Sequence, residues 1–99
     1  MSDLEFNFSD RVSLFESGSV WYFVQVPKKD SEWIRKEFRD VHRGWGSIPV
    51  LAQIGNTTWK TSIFWEKKGQ YLLFLKKDVR QKEKFTNGDA IHIKIELKP

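Results

Sequence analysis

The sequence predicts a mainly β domain: a small closed barrel of about six strands, antiparallel or mixed, with one short helix and one helical turn. Three observations lead there. Apolar and polar residues alternate through most of the chain, which is the period of a half-buried strand. Turn-forming residues punctuate these runs at Glu16-Ser17-Gly18-Ser19, Gly55-Asn56, Lys67-Lys68-Gly69 and Asn87-Gly88-Asp89. Aromatic residues make up 15% of the chain, and such rings suit a packed sheet core. Closure into a barrel would also remove the free edges that so many apolar strands would otherwise present.

The elements follow in order. Leu4, Phe6 and Phe8 alternate with Glu5, Asn7 and Ser9, and Val12 and Leu14 keep the same parity beyond a bend or bulge at Asp10. Val20 to Val26 is apolar on both faces, which predicts a well-covered strand, and Pro27 ends its hydrogen bonding. Residues 31–39 read as a short helix capped by Asp30 or Ser31, with Ile34, Phe38 and Val41 on its core face and Trp33 beside them. Asp40 to Gly46 is a loop around Trp45. Ser47 to Ile54 and Thr57 to Trp65 form a hairpin joined by Gly55-Asn56, a strong two-residue turn. Trp59, Ile63 and Trp65 share one face of the returning strand; Lys60 and Ser62 lie on the other. Tyr71 to Leu75 is a further strand, and 78–84 a helical turn anchored by Val79. In the last strand Ile91, Ile93, Ile95 and Leu97 point one way, and His92, Lys94 and Glu96 the other.

Ninety-nine residues with no linker or low-complexity stretch make one domain, 1–99. The longest apolar runs, Val20 to Val24 and Tyr71 to Leu75, fall far short of the roughly 20 residues that cross a bilayer. The start, MSDLEFNF, lacks a basic region followed by an apolar one, so no signal peptide is expected. There is no cysteine, which excludes disulfides, thiolate metal sites and cysteine nucleophiles. A soluble cytoplasmic domain with no membrane partner is the expectation.

Charge is uneven. The net is +4, but residues 1–50 carry seven basic and eight acidic side chains, and residues 51–99 carry ten and five. A basic half attracts phosphates and other polyanions, or simply keeps a surface solvated. His42 and His92 are too few for a metal set and read as surface residues. Gly44-Trp45-Gly46-Ser47 has neither the nucleophile-elbow nor the phosphate-loop spacing. With no nucleophile–base pair in view, no catalytic residue, metal or cofactor is assigned, and catalysis is not the favoured role.

Binding chemistry has more material. Trp45, Trp59, Trp65 and Tyr71 are either core rings or stacking surfaces for a planar ligand. Arg43, Lys60, Lys76 and Arg80 together would line an anion-binding mouth; in the plainer reading Arg80 and Asp78 pair locally on the surface. Arg43, Trp45, Ser47, Trp59, Lys60, Ser62, Tyr71, Lys76 and Arg80 are the ligand-binding candidates. Tyr22 to Pro27 and Tyr71 to Lys76 each precede helix-like sequence, a glycine and a strand. This layout is either coincidence or an internal repeat, and a repeat would give a barrel of pseudo-two-fold symmetry.

Arg43-Gly44-Trp45-Gly46-Ser47-Ile48-Pro49-Val50, then Ile54-Gly55, Thr57-Thr58-Trp59-Lys60-Thr61-Ser62-Ile63-Phe64, Gly69-Gln70-Tyr71-Leu72-Leu73 and Val79-Arg80 carry a likeness. The chain resembles the DUF1905 family over nearly its whole length, from about Phe6 to Leu97. The resemblance implies a prokaryotic protein with a compact double-split β-barrel, related in architecture to the AbrB- and MazE-type DNA-binding barrels. Trp65 and Phe74 stand where the family commonly has proline. The family supplies no catalytic residues to carry over.

The favoured expectation is a noncatalytic binding module for a small anionic or planar ligand, as a monomer or homodimer. The alternative is a nucleic-acid-binding or regulatory module, by analogy with those barrels.

Overall fold

In a computed structural model, described over residues 4–38 and 46–98, the chain forms seven strands and two helices. The order is β1 (Glu5–Arg11), β2 (Ser13–Ser17), β3 (Ser19–Gln25), α1 (Lys28–Phe38), β4 (Ser47–Ile54), β5 (Thr57–Glu66), β6 (Gln70–Phe74), α2 (Lys77–Glu83) and β7 (Ala90–Leu97). All strands join one antiparallel sheet in the spatial order β1-β7-β4-β5-β6-β3-β2.

The sheet curls into a half-barrel rather than the closed six-strand barrel expected. The physical reason lies between β1 and β3, which share no ladder. Their link is a side chain: the Asp10 carboxylate accepts the Gln25 N–H at 2.8 Å. The bend anticipated at Asp10 falls at Val12, where the chain leaves β7 and turns to pair with β3. Val12 keeps its backbone bonded there, donating to the Asp89 carbonyl and accepting from the Gly88 N–H. So the first strand is two strands with different partners.

Alternation builds the core. Ile48, Val50, Ala52 and Ile54 on β4, Trp59 and Ile63 on β5, Tyr71 and Leu73 on β6, and Ile93, Ile95 and Leu97 on β7 all face inward and are buried. Burying each large aliphatic side chain contributes roughly 1.5–3 kcal/mol. The Gly55-Asn56 turn closes β4 onto β5 as expected, with Ile54 paired to Thr57. Gly55 takes a positive φ of 57°, which a residue without Cβ adopts freely.

α1 starts three residues earlier than the cap residues suggested. Ser31 lies inside its first turn, fully buried. Its Oγ donates to the Val26 carbonyl and accepts the Tyr71 N–H, both at 3.0 Å. The hydroxyl is thus spent on tying the helix to β6 and to the end of β3. Ile34 enters the core, while Trp33 packs on Phe6 and Phe38 at ring separations of 5.7 and 6.0 Å. Val41 lies outside the described residues. The helical turn expected at 78–84 is the short helix α2, with Val79 buried. It ends at Lys84 in the left-handed region, and the Phe85 N–H donates back to the Arg80 carbonyl.

The strand–helix–strand layout recurs, and so do its contacts. Val26 N–H donates to the Tyr71 carbonyl, and Leu75 N–H to the Tyr22 carbonyl. Ser31 N–H donates to Pro27, and Arg80 N–H to Lys76. Ser31 Oγ reaches the Val26 carbonyl, and Arg80 Nε the Leu75 carbonyl. In each pair the two bonds sit at matching positions of β3–α1 and β6–α2.

Candidate functional site

β6 is half the length of β5, and this mismatch makes the site. The two strands pair only between Ile63–Glu66 and Gln70–Leu73. Beyond Phe74 the chain leaves β5 to enter α2, so the first half of β5 faces a gap. A groove of about 330 Å³ occupies that gap, near the lower end of the usual size for small-molecule sites.

Aromatic and basic residues line it together: Trp21, Tyr22, Trp59 and Phe74 with Lys60, Lys76, Lys77 and Arg80. Lys60, Lys76 and Lys77 are exposed. Arg80 is half-buried and held in place. Its Nε donates to the Leu75 carbonyl at 3.1 Å, and its guanidinium lies 3.7 Å over the Tyr22 ring. That grip orients the remaining guanidinium N–H groups, which reduces the entropy lost when they bind an anion. No carboxylate or imidazole lines the groove among the described residues.

Of the sequence candidates, Trp59, Lys60, Lys76 and Arg80 meet here. Ser62 lies on the outer face of β5, one side-chain repeat beyond Lys60, and pairs with Pro49. Ser47 lies opposite Phe64, away from the groove. Tyr71 is a core residue near the other end of β6, with its ring 5.1 Å from Trp65. Burial pushes its hydroxyl up to about 12, opposed by the hydrogen-bonded Arg35 guanidinium, which also covers the Trp65 ring at 4.0 Å. Arg43 and Trp45, with His42, lie outside the described residues. His92 is exposed, its ring nitrogens near Ser9 Oγ and Asn7 Oδ1.

Sequence reading missed Trp21, Tyr22, Phe74 and Lys77. Val20 to Val26 was expected to be covered on both faces, yet Val20 is 52% exposed and Trp21 45%. β3 passes beyond the end of β6, so the start of the strand has a partner only in β2. The signal was the two-sided apolar run itself, which calls for either a cover or a ligand.

A second depression, beside Phe6 and Trp33, is lined by Lys29, Lys36, Asp30 and Glu32. Its charges cancel, so it has no preference for anions. Among the described residues no group of three His, Cys, Asp or Glu is placed to hold a metal. No helix there is long and apolar enough to cross a membrane.

A family model described as "Domain of unknown function (DUF1905)" matches residues 8–95. None of the curated proteins matches the chain.

Proposed function

The chain belongs to the DUF1905 family, and from that premise we propose that it is a noncatalytic binding module whose groove takes a small anionic, planar ligand. One observation carries the reading: Lys60, Lys76, Lys77 and Arg80 converge around aromatic residues in a single groove. A planar ligand stacks on such rings, and its acidic group meets the cations. Among the described residues the charged groups of the lining are all cations, which suits it to holding an anion. The recurring β3–α1 and β6–α2 contacts support a duplicated, double-split arrangement in which the second copy has opened into the groove. Where the first half places Asp10 between β1 and β3, the second places Lys60 and Thr61 at the gap.

The test is a titration with adenosine monophosphate, followed by tryptophan fluorescence because Trp21 and Trp59 line the groove. Binding is expected, and the Lys60→Ala/Lys76→Ala variant should weaken it by about tenfold or more, the scale of a lost charge-assisted hydrogen bond. No binding, or equal binding by that variant, overturns the reading.

A further inference from the structure

The groove does not end at its aromatic floor. On the outer face of the sheet, Phe15 pairs across the strands with Trp21, Phe23 with Phe74, and Phe64 with Leu72. Phe74 is the hub: its ring lies 5.6 Å from Trp21, 6.3 Å from Phe23 and 5.9 Å from Phe64. Phe15 is 50% exposed. Trp21 and Phe74 belong both to this ledge and to the basic groove, so rings and cations form one continuous surface. An exposed cluster of this kind marks an interaction site.

We propose that this combined surface binds single-stranded nucleic acid, with bases stacked on the ledge and phosphates on Lys60, Lys76, Lys77 and Arg80. The inference rests on the anionic, planar ligand reading of the groove and extends it to a polymer. Charge complementarity selects the occupant. A single strand presents phosphates along one margin and unstacked bases along the other, and the surface has cations along one margin and rings along the other. A duplex hides its base faces. The β2–β3 ribbon that would have to enter its groove carries Leu14, Phe15, Val20 and Trp21, with acidic Glu16 near its tip and no lysine or arginine to meet phosphates.

The experiment is fluorescence anisotropy with a labelled oligothymidylate or oligouridylate of about ten nucleotides. Four groove cations imply that affinity falls about fiftyfold between 50 and 200 mM salt. Phe15→Ala should lower oligonucleotide affinity about fivefold or more, with Phe15→Tyr restoring it. Phe15 does not line the groove, so adenosine monophosphate affinity stays unchanged in that variant. If the mononucleotide binds and the oligonucleotide binds no tighter, this inference falls and the small-ligand reading stands. If neither binds, both fall. Equal or tighter binding of a duplex, or of vesicles containing anionic lipid, overturns the single-strand assignment. So does a dimer that Phe15→Ala converts to monomer with oligonucleotide affinity unchanged, because the ledge would then face a second copy of the chain.

Discussion

Ser31→Ala should be among the most damaging single-hydroxyl deletions in this protein. Ser31 is fully buried, the one buried polar residue among those described. Its hydroxyl makes two bonds at 3.0 Å, to the Val26 carbonyl and from the Tyr71 N–H. Val26 keeps a second donor, the Gln70 side-chain amide at 3.1 Å, so its loss is the smaller part. The Tyr71 N–H sits in the core and loses its acceptor, which costs about 1–3 kcal/mol. Together the expected loss is about 2–3 kcal/mol. At roughly 4–8 °C per kcal/mol for a domain of this size, Tm should fall by about 8–24 °C. Urea unfolding followed by tryptophan fluorescence measures it, with the m-value unchanged if both proteins unfold in one step. A loss below about 0.5 kcal/mol, the level of an ordinary surface substitution, would refute the idea that this hydroxyl pins α1 to the sheet.

Three further outcomes are expected. Gly55→Ala forces a Cβ into the Glu83 carboxylate and strains a positive φ; it should break the 2.6 Å bond from Thr57 Oγ1 to Glu83 and cost about 1–3 kcal/mol, read by thermal unfolding. Ile63→Ala, at a fully buried position on β5, should cost about 2–5 kcal/mol through lost burial and a residual cavity, read by urea unfolding. Tyr71, with its hydroxyl raised to about 12 in the folded protein, holds its proton over a range where the unfolded chain has released its own. Stability should therefore be little affected by this group below about pH 10 and should fall as pH rises from about 10 to 12. Unfolding curves across that range, compared with Tyr71→Phe, isolate the effect, since the variant should lose that part of the slope.

Alternation made most strands legible. Ser47 to Ile54 has the observed bounds, and β5, β6 and β7 differ by a residue or so at their ends, because a period of two belongs to the local chain. The start of α1 was less legible. Asp30 and Ser31 have cap chemistry, but the Ser31 hydroxyl found better partners in Val26 and Tyr71, and that competition involves a strand forty residues away in the chain. The site was half legible: Lys60, Lys76 and Arg80 could be grouped as an anion mouth, and they do share a groove. Tyr71, read as either a core ring or a stacking surface, is a core ring wedged under α1.

The sequence by itself determined which residues face in and out on β4, β5 and β7, where the tight turns fall, and that the basic excess belongs to residues 51–99. These are properties of neighbours along the chain. Tertiary structure alone decided that the sheet curls without closing, that Trp21 stays exposed, and that β5 outruns β6 to leave a basic, ring-lined gap. The physical reason is that pairing length and register between strands depend on both partners at once. An unpaired stretch, and the groove it leaves, is written in no single segment.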